Sequence, residues 1–123
     1  MGRNVSSGSL VRAQADFFQI SGQRVLGVVW STLAAHVFVN NAALPWSVAD
    51  GSAVQDSSIS GGKVYFNEIA GSPGFYSVRF FPDRVGFWRI VLRSDSLNAE
   101  VVLEFDVAAP APPTGGLNAT FVK

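Results

Sequence analysis

The chain has 123 residues, nine basic and nine acidic side chains, no cysteine and one histidine. These counts exclude a disulfide framework, a thiol nucleophile and any cysteine-based metal site. A neutral chain also lacks the basic excess with which nucleic-acid binders neutralise phosphates. Hydrophobic residues make up 48% against 15% charged, and ten Phe, three Trp and two Tyr supply the bulk for one apolar core.

Residues 1–11 open the chain. The first nine are small and polar, with two glycines, and read as a flexible N-terminal arm. Leu10 and Val11 are the first apolar pair, and Arg12 interrupts them at once, so no secretory signal and no export are expected. No apolar run approaches the roughly 20 residues of a membrane-spanning helix, and no membrane partner is expected. Gly2 with Ser6 fits a myristoylation pattern, and Asn4 and Asn118 open glycosylation sequons. Short patterns of this kind arise by chance, and without export the sequons are silent.

From residue 12 to 108 short apolar runs alternate with turn signals. The β-branched and aromatic residues predict strands over 12–19, 25–29, 34–39, 54–60, 63–69, 75–81, 87–94 and 100–107, with no helix. Asn40-Asn41, Ser60-Gly61-Gly62 and the stretch from Gly71 to Gly74 read as turns. Strands of this length and spacing point to an all-β sandwich or barrel.

The last three strands are the most informative. Tyr76, Val78 and Phe80 share one face; Trp88, Ile90 and Leu92 share the next; Val101, Leu103, Phe105 and Val107 share the third. Placing Leu92 opposite Val101 sets Ile90 opposite Leu103 and Trp88 opposite Phe105. The same register sets Arg93 opposite Glu100 and Arg89 opposite Glu104. A slip of one residue would bury the charges, so burial specifies the register and the ion pairs accompany it.

The pattern Gly74-x-Tyr76-x-Val78-x-Phe80-x-Pro82 followed by Gly86-x-Trp88-x-Ile90 resembles the filamin-type immunoglobulin-like domain. Trp88 stands where that family usually has Tyr, and it replaces a hydroxyl with an N–H donor. Upstream, residues 22–27 and the run from Ala35 to Asn41 are similar to bacterial and phage immunoglobulin-like modules. The resemblance covers roughly residues 16–107 and implies an immunoglobulin-like β-sandwich at 12–108, of a kind used in scaffolding, adhesion and particle building. None of its motifs is catalytic.

Residues 109–123 form a Pro/Gly-rich C-terminal arm. Pro110, Pro112 and Pro113 favour extended geometry, Gly115-Gly116 is a hinge, and Leu117, Phe121 and Val122 form an apolar tip expected to dock on a neighbouring subunit.

Little in the chain points to catalysis. His36 lies among alternating strand residues and is expected to face outward, and no nucleophile elbow occurs. The acidic residues are scattered over turns, without the spacing of a Ca²⁺ loop. No enzyme activity, metal or cofactor is expected. Phe75, Phe81 and Phe87 fall opposite the Tyr76/Trp88 face and, with Phe17, are expected to form a protein interface. Trp30 and Trp46 are candidates for stacking on a ligand, with a place in the core or at a subunit interface as the preferred reading.

These features predict a structural virion protein without enzymatic activity. Its partners would be other copies of itself and major capsid or tail proteins, within a homo-oligomeric assembly. A capsid cement or decoration protein and a tail or head–tail connecting component of a tailed phage both fit. The alternative is a carbohydrate- or surface-binding adhesion module.

Overall fold

The computed structural model describes residues 3–19 and 21–109. Its strands are β1 (Arg3–Ser6), β2 (Val11–Ala15), β3 (Leu33–Val39), β4 (Ala42–Leu44), β5 (Ser47–Asp50), β6 (Lys63–Glu68), β7 (Tyr76–Phe80), β8 (Gly86–Ser94) and β9 (Ala99–Ala108). Single 3-10 turns occupy Trp30–Thr32 and Asp56–Ser58. One sheet has the order β1-β9-β8-β3-β4 and the other β2-β7-β6-β5. Their inner faces share one apolar core, so the molecule is an all-β sandwich.

The β8–β9 hairpin has the register that the alternation predicts, with Trp88 opposite Phe105, Ile90 opposite Leu103 and Leu92 opposite Val101. Trp88, Ile90 and Leu92 are fully buried. On the wet face Arg89 lies 3.4 Å from Glu104 and Arg93 lies 3.8 Å from Glu100. β3 joins the other side of β8 with Val37 opposite Ile90 and Val39 opposite Trp88. Asn40 and Asn41, at φ of 50° and 68°, then make the tight turn into β4.

Two aromatic groups divide the core. Trp46 meets Trp88 edge-on at 5.1 Å between centroids, and Phe80 meets Phe105 at the same 5.1 Å. Towards the other end Phe66 stacks on Tyr76 at 5.2 Å, with Phe17 edge-on to Tyr76 at 5.6 Å. Trp88 Nε1 donates to the Arg84 carbonyl at 2.9 Å and closes the corner between β7 and β8. The indole thus anchors backbone as a corner tyrosine would, with its N–H acting as the donor.

Several segments differ from their predicted form. Residues 3–6, expected in a flexible arm, form β1 in parallel with β9, Val5 opposite Val107, and the Ser7 N–H donates to the Ala108 carbonyl at 2.8 Å. Residues 3–6 thus pair into the same sheet as β9. Residues 25–29 belong to neither sheet, and Gly27 within them has a φ of +74°. Residues 54–60 form a loop in place of a strand, because Arg79 draws them onto the outside of β7: its guanidinium donates to the carbonyls of Gly51 at 2.6 Å and Val54 at 2.9 Å and pairs with Asp56. Arg12 also pairs with Asp56. The run 42–50, which lies between predicted strands, holds β4 and β5. Pro45 has no N–H to continue the pairing with β3, so the chain leaves one sheet there. It inserts Trp46 into the core and joins β6 in the other sheet as the parallel strand β5. The C-terminal arm, from residue 110 onward, lies outside the described residues.

Replacing Trp88 by Phe leaves the Arg84 carbonyl without its donor. Urea unfolding should show a loss of at least about 0.5–1.5 kcal/mol, the net worth of one hydrogen bond at a partly buried corner. Arg89→Ala, which removes an exposed ion pair, should cost only about 0.2–1 kcal/mol.

Candidate binding surface at the loop end of the sandwich

Strand register brings three connections to one end of the molecule. Ala15 and Glu68 both flank Tyr76, and Leu33 lies opposite Ser94, which in turn lies opposite Ala99. The β2–β3 crossing (16–32), the β6–β7 turn (69–75) and the β8–β9 turn (95–98) therefore share this end.

The crossing is a strand-free segment held by its own inward side chains. Phe17, Val25 and Val28 enter the core. The Tyr76 hydroxyl donates to the Val25 carbonyl at 2.9 Å and accepts the Val28 N–H at 3.1 Å, both buried. Burying these residues turns their neighbours out: Phe18 is 51% exposed, Leu26 60%, Val29 49% and Trp30 38%. Arg24 lies among them. Its guanidinium sits 4.0 Å over the Phe75 ring and 4.9 Å from that of Phe18, and it is held by Asp16 at 2.7 Å and by the Gly74 carbonyl at 3.2 Å. Gly74 has a φ of +85°, and a Cβ there would stand 2.6 Å from Arg24 Cδ and 2.7 Å from Leu26 Cδ2. Its missing side chain is what lets both residues lie on the turn, so that Phe18, Arg24, Leu26 and Phe75 make one patch.

Beside the patch runs a groove of about 300 Å³ between residues 27–30 and the ends of β5 and β6. Trp30, Asp50, Ser52, Asn67 and Glu68 line it, over Phe66. Asp50 accepts the Ser52 N–H at 2.9 Å, and that bond holds its carboxyl below the usual carboxylate range. Glu68 Oε2 accepts the Gly74 N–H at 3.0 Å and so joins the groove to the patch. Asn67 Oδ1 is buried without a hydrogen-bond partner among the described residues. A second hollow at the same end lies between Gln19, Ser21, Leu97 and Asn98 and has no charged lining.

The predicted site residues separate in the structure. Phe17 is fully buried, edge-on to Phe66 and Tyr76, and is a core residue, not an interface residue. Trp46 is 8% exposed and packs on Trp88 and Phe80, so it offers no face to a ligand. Trp30 keeps an accessible ring. Phe75, Phe81 and Phe87 are half-buried on strand ends and the β7–β8 corner, and of these Phe75 belongs to the patch. Leu117, Phe121 and Val122 lie outside the described residues. His36 is exposed on β3. Among the described residues no three His, Asp or Glu side chains are grouped to hold a metal ion, and no helix is long and apolar enough to cross a membrane. The groove acids and the outward turn of Leu26 and Val29 were not apparent from the sequence, because they depend on how residues 16–32 cross between sheets. Compared with known proteins, the chain matches no family model, no curated protein and no solved structure.

Tyr76→Phe removes one hydroxyl that satisfies two buried backbone groups. It should cost about 1–3 kcal/mol in urea unfolding, and hydrogen exchange at the Val28 amide should accelerate more than exchange in β8.

Proposed function

We propose that the protein is a structural subunit of a viral particle of the tailed-phage kind, assembling by protein–protein contacts as a capsid decoration protein or as a tail or head–tail connecting component. The observation that carries the reading is the exposed apolar surface at the loop end. Phe18, Leu26, Val29 and Trp30 all reach solvent from one crossing segment, and Phe75 with Arg24 continues their surface. Apolar and aromatic side chains gathered with an arginine are the composition of an interface core.

The connectivity supports an immunoglobulin-like architecture. β9-β8-β3-β4 follows the G-F-C-C′ order of such sandwiches and β2-β7-β6 the B-E-D order, with the crossing between β2 and β3 in the place of the B–C loop. In that architecture loops at the ends of the sandwich carry recognition while the sheets stay rigid. The particle setting extends this architecture by analogy with phage modules of similar sequence pattern.

The test is attachment to purified particles that lack the protein, followed by electron microscopy and sedimentation. The wild-type chain should attach or form closed oligomers. The double variant Phe18→Ser/Leu26→Ser should lose at least about tenfold in affinity, while its unfolding free energy changes by no more than about 0.5 kcal/mol per site, as for surface substitutions. Particles that are stable and complete without the protein, or a double variant that assembles normally, would overturn the reading.

A further inference from the structure

We infer that the groove beside Trp30 receives a guanidinium, the side chain of an arginine on a partner protein. The inference takes the cation's source from the assembly reading above, and the recognition chemistry from the groove itself.

The groove carries two carboxylates and an accessible indole, and among the described residues none that line it is cationic. Asp50 and Glu68 each use an oxygen on a backbone N–H, that of Ser52 and that of Gly74. A carboxylate has lone pairs on both oxygens, so each keeps accepting capacity and a full negative charge. Neither forms an ion pair with another described residue. The arginines near this end have partners of their own: Arg24 with Asp16, Arg93 with Asp95 and Glu100, and Arg79 with the Gly51 and Val54 carbonyls and with Asp56, which Arg12 shares.

The protein itself displays what fits such a set of groups. Arg24 lies over Phe75 and Phe18, with the Asp16 carboxylate and the Gly74 carbonyl at its edge. The groove offers the same elements, with the Trp30 ring as the face and Asp50 and Glu68 as the edge acceptors. A guanidinium is planar, weakly hydrated and forked, so it stacks on an aromatic face while donating in its own plane to carboxylates. An ammonium lacks the plane and the fork. A saccharide could stack on the ring and donate hydroxyls to the carboxylates, but it carries no positive charge to answer theirs. A volume of about 300 Å³ is at the small end of ligand sites and suits one side chain.

The experiment is an NMR titration of the full chain with Nα-acetyl-arginine amide, followed at the Trp30 indole N–H and the Ser52 and Glu68 amides. The neutral isostere Nα-acetyl-citrulline amide, Nα-acetyl-lysine amide and methyl glucoside serve as the comparison probes. Arginine amide should give saturable shifts in the millimolar range that weaken with salt. Lysine amide should bind at least about threefold more weakly, and citrulline amide and methyl glucoside should leave the three signals in place. The double variant Asp50→Asn/Glu68→Gln keeps an acceptor for the Ser52 and Gly74 N–H groups, so it should fold. It should lose at least about tenfold in arginine affinity, with signals elsewhere in the spectrum unmoved. Trp30→Ala should lose affinity as well. No response to arginine, an equal response to citrulline, or a response to methyl glucoside alone would overturn the inference. If the Phe18→Ser/Leu26→Ser variant also loses assembly, the failure rests with the groove alone. If arginine binds and assembly is unaffected, the groove stands and the assembly reading falls.

Discussion

The surface at the loop end depends on one buried hydroxyl. Residues 16–32 must travel from the sheet containing β2 to the sheet containing β3, and most of that path lies outside sheet pairing, where backbone groups have no ladder to satisfy them. The Tyr76 hydroxyl supplies what the ladder does not, donating to Val25 and accepting from Val28. Two buried groups satisfied by one atom make the crossing a defined structure and not a slack loop. With Val25 and Val28 fixed inward, Leu26, Val29 and Trp30 have no inner position left. Their exposure follows from packing and does not signal a poorly filled core.

Trp88 holds the opposite end in a comparable way. Tyr76 and Trp88 are both fully buried large rings, each carrying one polar atom that ties down backbone away from its own strand, Val25 and Val28 in one case and Arg84 in the other. An aromatic with a polar handle suits such a position because its ring fills the core while its edge reaches the corner. At the β7–β8 corner the indole N–H makes that tie to the Arg84 carbonyl.

The parts legible in the sequence were those decided by local alternation. β7 to β9 carry period-two patterns, and the Trp88, Ile90 and Leu92 pairings follow from them together with the matching charges. What was not legible depends on groups distant in the chain. β1 exists because Val5 finds Val107 a hundred residues away, and its polar sequence gives no sign of that. Residues 25–29 read as a strand, yet Gly27 at φ +74° breaks the alternation, so the buried pair is Val25 and Val28, three apart where a strand would place them two or four apart. Residues 54–60 read as a strand because Val54 and Ile59 are β-branched, but the arginine that captures them is on β7. Phe17 was misplaced for the same reason, since aromatic residues near strand ends enter the core or leave it according to how the crossings run, while Trp46 takes the core place preferred over ligand stacking.

The arginines show why composition alone could not reveal the site. Arg89 and Arg93 are accounted for by pairing across the β8–β9 hairpin, and Arg79 by the loop that it holds. Arg24 is enclosed by its own aromatic and acidic neighbours. Each of these cations meets its anion within the fold, whereas Asp50 and Glu68 spend their carboxylates on the backbone of turns. A hydrogen bond from an N–H to a carboxylate satisfies the oxygen but does not neutralise the charge. Uncompensated charge therefore accumulates where acidic residues serve as turn acceptors beside a groove. Next to an indole and an apolar patch, that charge faces outward from a rigid frame and is available to a partner.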